Sequence, residues 1–473
     1  MKCIMSKLIK NWTYLLFSDV SQAVINFFAF MVLARKLTPE GFGELNVVLA
    51  LIALFTVFSN NVGANHVITR EITLHHEATK HIFLKLVPLR AFSFIATSIA
   101  LIIYTFTTKE ADIFIIILSS VLILSNSLWD LSESIAFGYL VTKYTTLFNL
   151  IFSASWLLLI FIIPNELINV KLVLIIYCSL FVLKSIFYFI KIIKQYVVKN
   201  TSFFDIGFKA FLFMSFPYLW MRVLGSFVDQ IPILLLDSNS GAKEVGYFSV
   251  GLRFIIPITL TVSTGLRAVF PFLTQLYHKD KVQFDMKVSQ SFGYIFVWGS
   301  IIATILVGTS NYWIPFFFGA KYVNSIAAFN ILAWFGVGLC FDLVLSTILS
   351  STYKQKVLAI ITTIDFVIMF PFLYIGAKHG ATGLALSKLV SLLFIVPYHI
   401  IVINKVLEIK IYNKTFLYSY LFFIYLLILS NIPVFLWIKT ILFLAVIVVY
   451  LRIRQSPLRQ SLEFIALSFR NRH

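Results

Sequence analysis

Charge is what this sequence has least of. Only 12% of its 473 residues are charged, while 60% are hydrophobic and Phe alone occurs 50 times. An ordinary soluble domain carries about a quarter charged residues, so a water-exposed surface of normal composition is excluded. Cysteine is also rare. Cys3, Cys178 and Cys340 lie far apart, one near the start and two in apolar runs, so neither a disulfide framework nor a thiolate metal cluster is indicated. No G-x-x-x-x-G-K-[ST] loop occurs, which excludes ATP hydrolysis by that route. The stretch "HHEATKH" (His75 to His81) departs from H-E-x-x-H, and its His76 and His81, five apart, diverge on a helix. No long polar loop is available to hold a catalytic site, which weighs against a membrane polymerase or ligase. No catalytic residue, metal or cofactor is expected, and the chain is read as a non-enzyme.

What is there is a succession of apolar runs. A membrane helix needs about 20 such residues, and fourteen candidate spans fit: 12–34, 44–64, 86–108, 112–135, 144–163, 170–191, 210–236, 245–275, 289–310, 324–350, 355–377, 380–403, 415–436 and 437–452. The fold class is therefore an all-α polytopic membrane protein. The first run is long and has no small-residue cleavage site, so no cleavable signal peptide is expected. If the N-terminus is placed in the cytoplasm, 24 of the 38 Lys and Arg fall on the termini and even-numbered connections, and 8 on the odd-numbered ones. That asymmetry predicts an even number of spans with both ends cytoplasmic. It also accounts for the net charge of +18 without nucleic acid.

The longest mid-chain polar linker, around "QYVVKNTSFFDIGFK", divides the chain. The expected parts are a six-helix lobe over 1–194, a linker over 195–208, a second six-helix lobe over 209–405, and two further helices with a basic tail over 406–473. The tail places Leu458, Leu462, Ile465 and Phe469 on one face among arginines, a pattern of a helix lying on a membrane or of a disordered basic tail. A short internal repeat supports two halves. "LTPEGFGELNVVLAL" resembles "NSGAKEVGYFSVGL", and setting Gly43 on Gly246 gives an offset of 203. Under that offset Asp19 falls on Arg222 and Asn26 on Asp229.

Polar groups inside spans are costly and mark function or helix pairing. Asp19, Gln22 and Asn26 recur at i, i+3 and i+7 in the first span, one face of one helix. They are candidates for a coupling cation, a sugar hydroxyl, or helix–helix hydrogen bonds. In the seventh and eighth spans stand Arg222, Asp229, Arg253 and Arg267. Asp229 and Arg253 lie at similar depths of one hairpin and either pair to hold it or line a cavity. A cavity lined by the three arginines would attract an anion, phosphate best, because guanidinium matches its geometry. Arg267 is also placed to snorkel. Asp342 and Asp365 are candidate protonation sites, and Lys388 could pair with either. Arg90 and Lys184 are read as snorkelling cations, and Asp130 and Glu133 as a gate or as interfacial groups. Pro217 and Pro257 are expected to kink their helices.

Four stretches carry a resemblance. "LARKLTPEGFGELN" (Leu33 to Asn46) resembles the signature that follows the first helix of polysaccharide exporters. "DQIPILLLDSNSGAKEVGYFSVGLRF" (Asp229 to Phe254) resembles their span 7–8 hairpin. "WIPFFFGAKYVNSIAAFNIL" (Trp313 to Leu332) and "GAKHGATGLALSKLV" (Gly376 to Val390) resemble later loops. Thr38, Phe42 and Gly251 stand where that pattern usually has Gly, Tyr and Ala. The chain is similar to the O-antigen and polysaccharide flippases of the multidrug/oligosaccharidyl-lipid/polysaccharide exporter superfamily. The resemblance implies a MATE-like fold of two six-helix lobes around a cationic cavity, working by alternating access. It implies a bacterial inner membrane location and a substrate of undecaprenyl-diphosphate bearing an oligosaccharide repeat unit. It further implies H+ or Na+ as coupling ion, a polymerase and a chain-length regulator as partners, and no cofactor. A multidrug–cation antiporter of the same superfamily is the alternative, and it would place acids rather than arginines in the cavity.

Overall fold

In a computed structural model the described backbone covers residues 2–61, 65–107, 112–197, 208–352, 354–408, 414–431 and 436–452. Fifteen α-helices run through it. They are α1 (Lys2–Lys36), α2 (Pro39–Asn61), α3 (Asn65–Leu74), α4 (Thr79–Thr107), α5 (Ile113–Gly138), α6 (Lys143–Ile162), α7 (Val170–Ile192), α8 (Phe208–Ser240), α9 (Ala242–Lys279), α10 (Lys281–Phe318), α11 (Ser325–Ser351), α12 (Gln355–Ala377), α13 (Gly380–Leu407), α14 (Lys414–Asn431) and α15 (Leu436–Arg452). Among the described residues, 11 helices are long and apolar enough to cross a membrane. The remaining expected spans fall on α1, α14 and α15. The amphipathic α3 was not expected; it buries Val67, Ile68, Glu71 and Ile72. The basic tail after Arg452 and most of the expected linker lie outside the described residues.

The helix ends follow local chemistry. Asp112, Asn169 and Asp280 each accept a backbone N–H from the first turn they precede, at 2.9, 2.9 and 3.0 Å, which supplies orphan donors with partners. Lys36, at the end of α1, caps another helix. Its ammonium donates to the carbonyls of Ile160 (2.9 Å), Phe161 (3.0 Å) and Ile163 at the end of α6, where the negative end of the helix dipole favours a cation. The helices run unbroken through Pro217 and Pro257.

The chain forms two compact units, residues 1–249 and 250–473. In the first, the core gathers Val67, Ile68, Ile72, Leu86, Trp129, Ile135 and Tyr188 from α3, α4, α5 and α7. In the second, Phe292 and Phe296 of α10 pack on Phe341 of α11 at 4.6 and 5.4 Å between ring centroids. The buried Trp334 donates its indole N–H to Ser430 of α14 at 3.0 Å, giving a buried polar tip its partner.

One contact in the first unit answers the sequence repeat. The first turn of α2 crosses the first turn of α9 backbone to backbone. A Cβ on Gly43 would lie 1.7 Å from the carbonyl oxygen of Ala242, and a Cβ on Gly246 would lie 2.1 Å from that of Pro39. Pro39 and Ala242 differ by the same 203 positions as Gly43 and Gly246, so the two contacts are reciprocal. Only glycine permits this approach. Gly43→Ala or Gly246→Ala should each lower stability by about 3 kcal/mol, the upper end of ordinary overpacking. Gly308→Ala, where nothing lies within 4 Å, should leave the melting temperature in detergent unchanged or slightly raised.

Candidate functional site

Several charges within the spans of the first unit act on one another. Arg90 of α4 is 5% exposed and Lys184 of α7 8%, which corrects their reading as snorkelling cations. Each side chain turns inward and finds its partners inside the unit. Arg90 donates from Nη2 to Asn65 Oδ1 at 2.7 Å, while its Nε and Nη1 are buried without a hydrogen bond. Lys184 sits in a box of rings, 3.7 Å from the centroid of Trp129, 4.8 Å from Phe181 and 5.0 Å from Phe152. A desolvated cation–π contact of this kind is worth about 2 kcal/mol.

The acids come from α5. Asp130 accepts a hydrogen bond from the Asn60 amide of α2, and Arg90 and Arg222 act on it electrostatically. Glu133, almost one turn on, feels Lys184, Asp19 and Arg222 in addition to Asp130. Asp130 and Glu133 are half-buried, and Glu133 lies within electrostatic reach of Asp19 on the first helix and of Arg222 on α8. Asp19, Gln22 and Asn26 are each half-buried on α1. The cluster holds three acids, Asp19, Asp130 and Glu133, against three bases, Arg90, Lys184 and Arg222, so it balances. The bases differ in access: Arg90 and Lys184 are buried, whereas Arg222 is exposed. Asp229, seven residues further along α8, is exposed too.

Arg253 lies half-buried on α9 in the second unit, and the side chain of Arg267 falls outside the described residues. Asp342 and Asp365 are brought together by α11, α12 and α13. The group that joins them is His399. Its Nε2 lies 2.8 and 2.9 Å from the two carboxylate oxygens of Asp365, and its Nδ1 lies 3.8 Å from Asp342 Oδ1. Lys388, buried on the same helix, places its ammonium 5.1 Å from the Phe335 ring centroid. The sequence reading passed over His399. The signal was present: it is the one histidine inside an expected span, eleven residues after Lys388 and so on the same helix face.

Outside the spans, His66 of α3 titrates below the usual imidazole value, lowered by desolvation first and by the Arg222 cation second. At the start of α5, Lys171 bonds the Asp112 carboxylate at 2.9 Å and, with the Phe114 N–H, holds it below the usual carboxylate range.

A family model described as "Polysaccharide biosynthesis protein" matches residues 8–277. Among curated proteins, a Shigella flexneri protein named as an O-antigen transporter is 24% identical over 80% of this chain and 94% of its own length. The capsular polysaccharide biosynthesis protein CapF of Staphylococcus aureus is 23% identical over 81% and 96%. Among solved structures, an inward-facing multidrug resistance MATE family transporter of the MOP superfamily superposes with TM-score 0.61 at 16% identity, covering 82% of this chain and 95% of that one. The lipid II flippase MurJ, inward closed, does so with TM-score 0.61 at 18% identity, covering 92% and 97%. At these identities the two structures establish the fold.

Two outcomes follow from the cluster. Lys184→Met leaves Glu133 and Asp130 short of a buried cation and should cost about 3–5 kcal/mol, whereas adding Glu133→Gln should restore a large part of it; a double-mutant cycle of unfolding in detergent reads both. Arg222→Gln should let the His66 pKa rise toward its ordinary value, followed by imidazole NMR of the labelled protein. By its sequence match over more than half its length, and with a helical membrane fold shared with MATE transporters and MurJ, the chain belongs to the polysaccharide biosynthesis protein family.

Proposed function

We propose that the chain is a flippase that carries undecaprenyl-diphosphate-linked oligosaccharide repeat units, of O-antigen or a related surface polysaccharide, from the inner to the outer leaflet by alternating access. The observation that carries the reading is Arg222, the exposed guanidinium of a charge cluster whose other two cations, Arg90 and Lys184, are buried. A diphosphate is the anion such a group holds best, through paired charge-assisted hydrogen bonds. In the resting cluster Asp130 and Glu133 compete for Arg222. An arriving diphosphate must outbid them, and a cation or proton taken up by an acid relieves that competition. Substrate and coupling ion are thereby linked through shared partners, the form a coupling free energy takes. Arg253 and Arg267 are proposed further contacts for the headgroup, with Gln22, Asn26 and Asp229 lining the path of the sugars. The family match and the O-antigen transporter and CapF relatives support this reading. The same reading places the chain in a bacterial inner membrane with both ends cytoplasmic, H+ or Na+ as coupling ion, and a polymerase and chain-length regulator as partners.

The second reading, a multidrug–cation antiporter, rests on the acids Asp19, Asp130 and Glu133 in the same cluster. Expression in a flippase-deficient bacterium making the cognate glycan separates the two. The native chain should restore surface polysaccharide. Arg222→Ala should reduce it by about a hundredfold, the loss of one charge-assisted contact to the diphosphate, while Arg222→Lys keeps part and Arg253→Ala falls between. Full activity of Arg222→Ala at matched membrane levels would remove the site assignment. Lowered drug accumulation without restored polysaccharide would favour the antiporter.

A further inference from the structure

In the second unit one imidazole stands between two carboxylates contributed by different helices. His399 is 1% exposed, and stacks on Phe341 with ring centroids 6.5 Å apart and planes at 11°. Its Nε2 is engaged by both oxygens of Asp365 at 2.8 and 2.9 Å. Its Nδ1 is buried with no hydrogen bond and faces Asp342 Oδ1 at 3.8 Å. The three side chains form a gradient of access: Asp342 is 49% exposed, Asp365 18% and His399 1%.

A neutral imidazole offers one donor and one acceptor, so with carboxylates at both nitrogens one lone pair must face an anion. Only the imidazolium donates at both ends. The Nε2–Asp365 separations are those of direct hydrogen bonds. The nitrogen without a hydrogen bond is Nδ1, and the half-exposed Asp342 carboxylate lies beside it. The remaining titratable groups near the ring are few. From α11 there is Asp342 and from α12 Asp365. On α13 itself Tyr398 adjoins His399, its ring centroid 5.8 Å away, and Lys388 lies eleven residues earlier with its ammonium over Phe335.

We propose that Asp342, His399 and Asp365 form a proton-carrying site, in which Asp342 collects a proton and passes it to His399 Nδ1, so that the imidazolium bridges both carboxylates across α11, α12 and α13. One proton enters and no bond between heavy atoms changes. The net charge of the three groups goes from −2 to −1. The Nδ1 proton draws Asp342 in from its 3.8 Å separation, which ties α11 to α13, while the Nε2 bond already ties α13 to α12. Loss of that proton releases α11 again. Occupancy by a proton is thus written into helix packing, which is what a gradient-driven conformational cycle requires. As the coupling step the site rests on the transport reading above; as a proton site it stands apart from it.

The test has two arms on the full chain. In nanodiscs, potentiometric titration between pH 5 and pH 9 compares the native protein with His399→Gln. The native protein should bind one more proton per chain over that range. No difference means that the imidazole keeps a single protonation state and overturns the site. In flippase-deficient cells, His399→Gln and Asp342→Asn should each lower polysaccharide display roughly tenfold, within the ordinary range of coupling factors. Both should still bind polyprenyl diphosphate in the purified state. Asp342→Asn leaves the imidazole and its Asp365 bonds in place, so its loss of display does not reflect unfolding. Full display by both variants overturns the coupling role. If the native chain neither restores display nor binds polyprenyl diphosphate while the proton difference persists, the transport reading fails and the proton site stands.

Discussion

A charge buried among apolar helices must find its counter-charge inside the same unit. Much else in this structure is arranged around that constraint. Arg90, Asp130, Glu133 and Lys184 come from three helices, and none is near a partner along its own helix except Asp130 and Glu133, which repel. The helices α4, α5 and α7 are therefore tied by electrostatics as well as by the apolar core beneath them. Asn60 and Asn65 finish the arrangement from α2 and α3. A buried pair contributes little net stability, but its half-removal is expensive. That asymmetry makes such a cluster a device for fixing one packing rather than for deepening it.

The two units meet the constraint differently. The first distributes opposite charges until they balance and encloses Lys184 in aromatic faces. The second places two like charges near each other and sets between them a group whose own charge is adjustable. A balanced cluster can, on the proposed reading, answer an arriving anion by exchanging partners. A like-charged pair around an imidazole responds to a proton. In the proposals above, the first serves recognition and the second serves coupling.

Much of this was legible in the sequence. The apolar runs located the helices, and loosely matching stretches around Gly43 and Gly246 located a pair of turns that the fold brings into reciprocal contact. The stripe of Asp19, Gln22 and Asn26 marked a helix face whose carboxylate does act on Glu133. Burial of individual cations was not legible. Arg90 and Lys184 lie close enough to span ends to permit snorkelling, and only tertiary packing decides whether a long side chain turns outward or inward. α3 was missed because ten residues of mixed polarity look like a connection until a neighbour covers their apolar side. His399 was missed because a lone histidine in an apolar run says nothing of two acids that approach it from other helices.

Lys36 illustrates how a folded membrane protein re-uses its own signals. While the chain is being inserted, an ammonium after the first span is a topological mark like any other. Once α6 has formed, that ammonium belongs to three of its terminal carbonyls. Lys171 is likewise paired, with Asp112, though it stays exposed. The charge pattern that the insertion machinery reads is therefore not the one the finished surface presents. Neutralising Lys36 would be felt as a fraying of α6, a helix more than a hundred residues away in sequence, rather than as a change of address.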